Sequence, residues 1–198
     1  TINNTKASEA ISVAKNISNN ISPDNVTNFN EEDARSIWNN GNAAFMRNWG
    51  YAYYLGVNFD GKWGVTTLPA GDSEGKSTVG GYSIAASKYS DNSDEAVEFV
   101  KLVSNKEIQK KMVMENNVLP TMESLITSFE VKSANTLINE ISKFSNSNLI
   151  SRPTAVTGEQ YPEVSKIIYE NIHDVLTESI TATDAVRNIE IELKDLLQ

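Results

Sequence analysis

The chain contains no cysteine, and that absence excludes a disulfide framework, a thiolate metal site and a cysteine nucleophile together. Histidine occurs once, at His173 within "YENIHDVL" on an expected helix. A single imidazole without partners reads as a surface or half-buried residue, not as a metal ligand or an acid–base catalyst. Basic charge is scarce: 17 Lys and Arg against 26 Asp and Glu leave a net charge of −9, which repels phosphate backbones and argues against nucleic acid as a partner. No apolar run approaches the ~20 residues of a membrane-spanning helix, so any membrane association of these residues is peripheral at most. The motifs G-x-S-x-G, H-E-x-x-H, the P-loop and G-x-G-x-x-G are all missing. Carboxylates are plentiful, but they sit at helix starts and on polar faces, with no pair marked out for glycoside hydrolysis. The expectation is a protein that is not an enzyme and uses no metal or organic cofactor.

What is present suffices for a folded core. An apolar share of 39% with three Trp argues against disorder, and 198 residues make one large domain or parts of two. The opening "TINNTKASEA" shows no basic n-region or apolar h-region, so no export signal is visible. Either a signal has been removed or the chain begins inside a longer protein. Four sequons begin at Asn3, Asn16, Asn20 and Asn25, as chance produces in a stretch so rich in Asn and Ser, and they bear on glycosylation only in a eukaryotic source.

Ala10, Ala14, Ile17 and Ile21 recur at helical spacing and predict a weakly amphipathic first helix. A second follows in "NEEDARSIWNNGN", with Asn30 as cap, acidic residues in the first turn and Gly41 as terminator. "AAFMRN" reads as a buried strand, "WGYAYYLG" as a helical turn or two, and "KWGVTTLP" and "STVGGYSIAAS" as further strands. From residue 93 the pattern is helical. Ser104 with Glu107 forms an expected capping box, and Thr121 is placed as the cap of another short helix. "SNSNLISRPTAVTGEQYP" reads as a linker, and two helices close the chain at about 161–178 and 182–197. Three strands among so many helices suggest a helix-rich α/β fold: either its sheet is completed by further chain, or this is an unusually helical α+β domain.

The densest chemistry lies in "FMRNWGYAYYLG", where Arg47, Asn48, Trp49 and three Tyr crowd into ten positions. Flat rings beside hydrogen-bonding groups suit a sugar, which offers C–H faces to be covered and hydroxyls to be bonded. The same rings also suit the packing of a helix onto a sheet. Trp38 and Trp63 match no ligand motif and are expected in the core.

The ordered series "GNAAFMRNWGYAY", "WGVTTLPAG", "STVGGYSIAAS", "DEAVEFVKLVSNKEIQKKM", "VLPT" and "SRPTAVTGEQYPEVSKIIYENI" resembles the C-terminal half of extracytoplasmic sugar-binding proteins of ABC importers, the maltose/trehalose type. The resemblance runs from about residue 31 to the end. It implies a periplasmic-binding-protein-like (type II, Venus-flytrap) fold: residues 1–74 as the first part of the C-terminal lobe, 75–125 as a segment crossing into the N-terminal lobe, and 126–198 as closing helices of the C-terminal lobe. It also implies a di- or oligosaccharide ligand, ABC permease subunits as partners, and a location in the periplasm or anchored to the cell surface by lipid. Carried over by residue, N-W-x-Y falls on Asn48, Trp49 and Tyr51, whose rings would line the cleft. G-G-aromatic falls on Gly80, Gly81 and Tyr82, where many members carry Trp, and R-P falls on Arg152 and Pro153. Asp72 is a further polar candidate. Gly80 and Gly81 also read as a plain bulge, and Arg152 as a surface ion-pair partner. An alternative function is a carbohydrate-sensing module that uses the same fold without transport.

Overall fold

A computed structural model describes residues 2–55, 62–69, 71, 75–116, 118–142 and 149–198. Its helices are α1 Thr5–Asn20, α2 Glu31–Asn39, α3 Tyr51–Tyr54, α4 Ser93–Val103, α5 Lys106–Asn116, α6 Glu123–Ile126, α7 Phe129–Ala134, α8 Thr136–Ile141, α9 Thr154–Thr157, α10 Tyr161–Leu176 and α11 Ala182–Leu196. Two short strands, β1 Ser77–Thr78 and β2 Leu149–Ile150, pair in parallel with Ser77 opposite Leu149 and Thr78 opposite Ile150.

The chain divides into two compact units: Thr1–Asn48 with Arg152–Gln198, and Trp49–Ser151. Both expected lobe boundaries, at 74/75 and 125/126, fall inside the second unit.

In the first unit α1 packs on α10 and α11, and Ile11 joins Val175, Ala182, Ala185 and Val186 in one cluster, with Ala7, Ile172 and Ile180 around it. The buried stripe of α1 is therefore Ala7–Ile11, not the expected Ala10, Ala14, Ile17 and Ile21; Ile17 and Ile21 are exposed. The two closing helices choose which stripe is covered, and they lie far along the chain. Asn30 caps α2 as expected: its side chain accepts from Glu32 and Asp33 N–H, while Asp33 accepts from Asn30 N–H. Gly41 takes a φ of 74°, the left-handed value a helix terminator needs. Glu178 supplies the same conformation after α10, at φ 64°. There Ser179 N–H reaches Asp174 O and Glu178 N–H reaches Val175 O, the double bond pattern that turns the chain sharply into α11.

In the second unit α5, α6, α7 and α8 contribute Val113, Leu125, Val131 and Ile138 to a separate core. The caps differ from expectation. Ser104 N–H still closes α4 on Val100 O, so the cap of α5 moves one residue on, where Asn105 Oδ1 accepts from Glu107 N–H at 2.8 Å. Thr121 caps nothing: its N–H donates to Gln109 Oε1 at 2.9 Å, and Met122 precedes α6 without a side-chain cap.

The strands are the main departure. Among the described residues, 43–48 and 62–69 form no ladder, and Phe45, expected inside, is 94% exposed. Of "STVGGYSIAAS" only Ser77–Thr78 pairs, with a partner from the expected linker. Trp63 is 38% exposed, not core, because its ring meets the edge of Tyr53 (5.0 Å between centroids) instead of entering the aliphatic cluster.

Candidate functional site

The aromatic stretch divides by packing. Gly50 lies against the α8 layer so closely that a Cβ there would stand 2.5 Å from Leu119 Cδ1 and 3.4 Å from Leu137 Cδ2. Ala52, one turn-step on, is buried. These two small residues let α3 sit down on its support, and the rings sort themselves to either side. Tyr53 and Tyr54 are half-buried and pack edge to face at 5.3 Å. Trp49 and Tyr51 stay 44% and 39% exposed. The packing role and the presenting role are thus both filled, by different members of the same stretch.

Tyr54 locks the turn in place. Its hydroxyl donates to Asn135 Oδ1 at 2.8 Å, and the same oxygen accepts from Ile138 N–H at 3.0 Å, so one buried amide caps α8 and holds α3. Neither Asn135 nor this role of Tyr54 was legible in the sequence; the only local signal is Asn135 standing just before a helix. Burial, with a smaller contribution from Tyr53, pushes the Tyr54 hydroxyl above its ordinary pKa. The unfolded chain loses this proton near pH 10 while the folded chain still holds it, so stability present at neutral pH is lost as pH rises above about 10. Comparing urea midpoints of the wild type and Tyr54→Phe between about pH 8 and pH 11 should show the steeper alkaline loss in the wild type. Equal slopes would mean that Tyr54 ionises as freely in the fold as outside it.

The other sequence candidates separate by unit. In the first unit, Asn48 Nδ2 donates to Glu31 O at 2.9 Å, which ties this amide to the start of α2. Exposed Arg152 donates through Nη1 to Tyr161 Oη at 3.3 Å. Tyr161, the first residue of α10, was not singled out from sequence; a ring nine residues beyond the Arg was the available signal. The chain passes from one unit to the other at Asn48–Trp49 and at Ser151–Arg152, so these candidates flank its two crossings.

In the second unit, Val79 N–H donates to Ile150 O at 2.9 Å and extends the strand pairing by one bond. Gly80 then meets the benzo end of the Trp49 indole. A Cβ at Gly81 would point into open space, and Tyr82 is fully exposed. The structure therefore brings Trp49 and Gly80 together. Asp72 lies outside the described residues.

Among the described residues no group of three or more His, Cys, Asp and Glu is placed to hold a metal ion, and no helix is long and apolar enough to cross a membrane. His173 is exposed on α10. A shallow groove lined by Ser12, Lys15, Glu178, Thr181, Asp184 and Arg187 includes none of the candidates, and its two cations pair with Glu178 and Asp184.

Helix-rich units, one parallel strand pair and exposed rings on a docked turn agree with a definite protein class. The chain belongs to the bacterial extracellular solute-binding protein family, whose sequence profile matches residues 1–110. It is 34% identical over 199 residues to the probable ABC transporter-binding protein of Deinococcus radiodurans, across 98% of this chain and 47% of that protein. Maltose-bound T. maritima MalE3 matches it in three dimensions with a TM-score of 0.80 and 31% identity, over 99% of this chain and 51% of that one. The fold is accordingly periplasmic-binding-protein-like, as the sequence implied, and the chain spans about half the length of the relatives it matches.

Proposed function

We propose that this chain is the C-terminal half of a receptor that binds a sugar, a di- or oligosaccharide of the maltose/trehalose type, and delivers it to an ABC permease without chemical change. The ligand would lie in a cleft between two lobes that close on it, and the closed form would be what the permease recognises. Residues 1–74 and 126–198 are assigned to the C-terminal lobe, and 75–125 to the N-terminal lobe. Trp49, Tyr51 and Tyr82 supply rings to the sugar faces, Asn48, Arg152 and Asp72 supply hydrogen bonds to its hydroxyls, and Gly81 leaves backbone within reach. The receptor would work outside the cytoplasm, in the periplasm or anchored by lipid at the cell surface.

The observation that carries this reading is the sorting within residues 49–54: Gly50 and Ala52 are packed inward while Trp49 and Tyr51 keep large exposed areas. Exposing indole and phenol on a rigid turn costs apolar burial, and a ligand with flat C–H faces returns it. The match to a protein solved with maltose supports a sugar as that ligand. The test is calorimetric titration of the whole receptor with maltose, trehalose, longer glucosides, amino acids and oxyanions. Saturable heat with a glucoside alone is expected; saturation by an amino acid or an oxyanion instead would refute the sugar assignment.

A further inference from the structure

We propose that Gly80 is a positioning residue whose missing side chain seats the indole of Trp49 and fixes the angle at which that ring is presented. The effect on ligand affinity rests on the sugar-site reading; the seat itself does not. A Cβ added at Gly80 would lie 2.7 Å from Trp49 Cη2 and 3.0 Å from Cζ3, both closer than two carbon atoms pack, and 3.8 Å from Cζ2. The backbone at Gly80 does not demand glycine: the positive-φ glycines among the described residues are Gly41 and Gly158. What glycine provides here is space, and the indole takes it. Gly81 is the informative contrast, since a Cβ there would meet nothing within 4 Å.

Neither side of this contact retreats easily. Gly80 follows Val79, whose N–H is held by Ile150 O at 2.9 Å. Trp49 precedes Gly50, which is wedged against Leu119 and Leu137, and its carbonyl accepts from Ala52 N–H at 3.1 Å. A side chain at Gly80 would therefore swing the ring, the one part with soft torsions. A ring braced at both ends yet 44% exposed is pre-organised: it loses little side-chain freedom when a ligand stacks on it. Gly80 thus acts indirectly, through the tryptophan, in addition to any backbone approach to a ligand.

The seat is tested first in the 198-residue chain, whose three Trp give three indole N–H resonances. The Trp49 resonance is assigned by its loss in Trp49→Phe. Gly80→Ala and Gly80→Val should shift it progressively, whereas Gly81→Ala should leave it in place. An unmoved Trp49 resonance in Gly80→Val would overturn the seat, whatever the ligand is. In the whole receptor, Gly80→Ala should weaken maltose binding by about tenfold. The same change made in a Trp49→Ala background should cost almost nothing more, because the ring through which Gly80 acts is gone. An equal loss in both backgrounds would show that Gly80 meets the ligand itself and would overturn the positioning role. Absence of any sugar binding by the wild-type receptor would instead remove the functional reading, with the resonance shifts still deciding the seat.

Discussion

Titrated with maltose, trehalose or a related glucoside, the 198-residue chain by itself should bind only in the millimolar range or not at all. Its alignment takes in 47% of the Deinococcus relative and 51% of the maltose-bound protein. A small-ligand site buries roughly 70–90% of its ligand, and one wall leaves the sugar wet on the other side. Millimolar binding corresponds to about −4 kcal/mol and micromolar binding to about −8 kcal/mol, so the opposite wall has to contribute about as much again. Supplying the other half of the family's fold, in the same chain or as a separate polypeptide, should therefore tighten binding by orders of magnitude. The second unit shows where covering is wanted. Helix α4 buries none of its residues and leaves Val97, Phe99 and Leu102 exposed, as are Leu149 and Ile150 of β2. A parallel pair of two-residue strands is also far from self-sufficient, since parallel sheets are stable when both faces are covered. Alone, the chain should dimerise or exchange strands through these surfaces. Calorimetry with size-exclusion chromatography checks both halves of the expectation. Micromolar affinity in a 198-residue monomer would establish a complete binding domain and remove the two-wall argument.

Replacing Trp49 with alanine in the whole receptor should cost about 1–3 kcal/mol of sugar affinity and leave the fold in place. The size follows from losing one large stacking face. The sparing of the fold follows from where Trp49 is not: the aliphatic cluster of Val113, Leu125, Val131 and Ile138 excludes it, and nearly half its surface is exposed. A buried Trp would behave otherwise, with a stability loss of about 3–5 kcal/mol from the cavity it leaves. Parallel titrations and urea melts separate the two. A collapse of the melt at unchanged affinity per folded molecule would reassign Trp49 to the core.

The features legible from sequence were those whose causes are local. The Asn30 cap of α2, the Gly41 terminator and the two closing helices each depend on residues within a turn or two, and each formed as expected. Pairing is not local: Ser77 meets Leu149 across most of the second unit, and no run of β-branched residues announces which stretch will find a partner. The covered stripe of α1 was misread for the same reason, because it is chosen by helices at the far end of the chain. At the candidate site the gathering of rings was visible at once. Their division was not, since it depends on Asn135, 81 positions from Tyr54, and on the room that Gly80 leaves for Trp49.

The wiring of the first unit also sets the order in which the molecule can be finished. A polypeptide emerges N-terminus first, from a ribosome or from an export channel. Helix α1 therefore precedes its partners, and Ile11 stays bare until Val175, Ala185 and Val186 follow. Its Asn- and Ser-rich sequence is a weak helix on its own, and closing so long a loop costs entropy that packing on α10 and α11 repays. The inserted stretch Trp49–Ser151, which has its own core, has been delivered before Arg152 is released. At typical synthesis rates the stretch from Arg152 to Gln198 takes roughly 2–10 s, during which α1 waits for α10 and α11. Vectorial delivery thus leaves α1 open to handling by chaperones until α10 and α11 arrive.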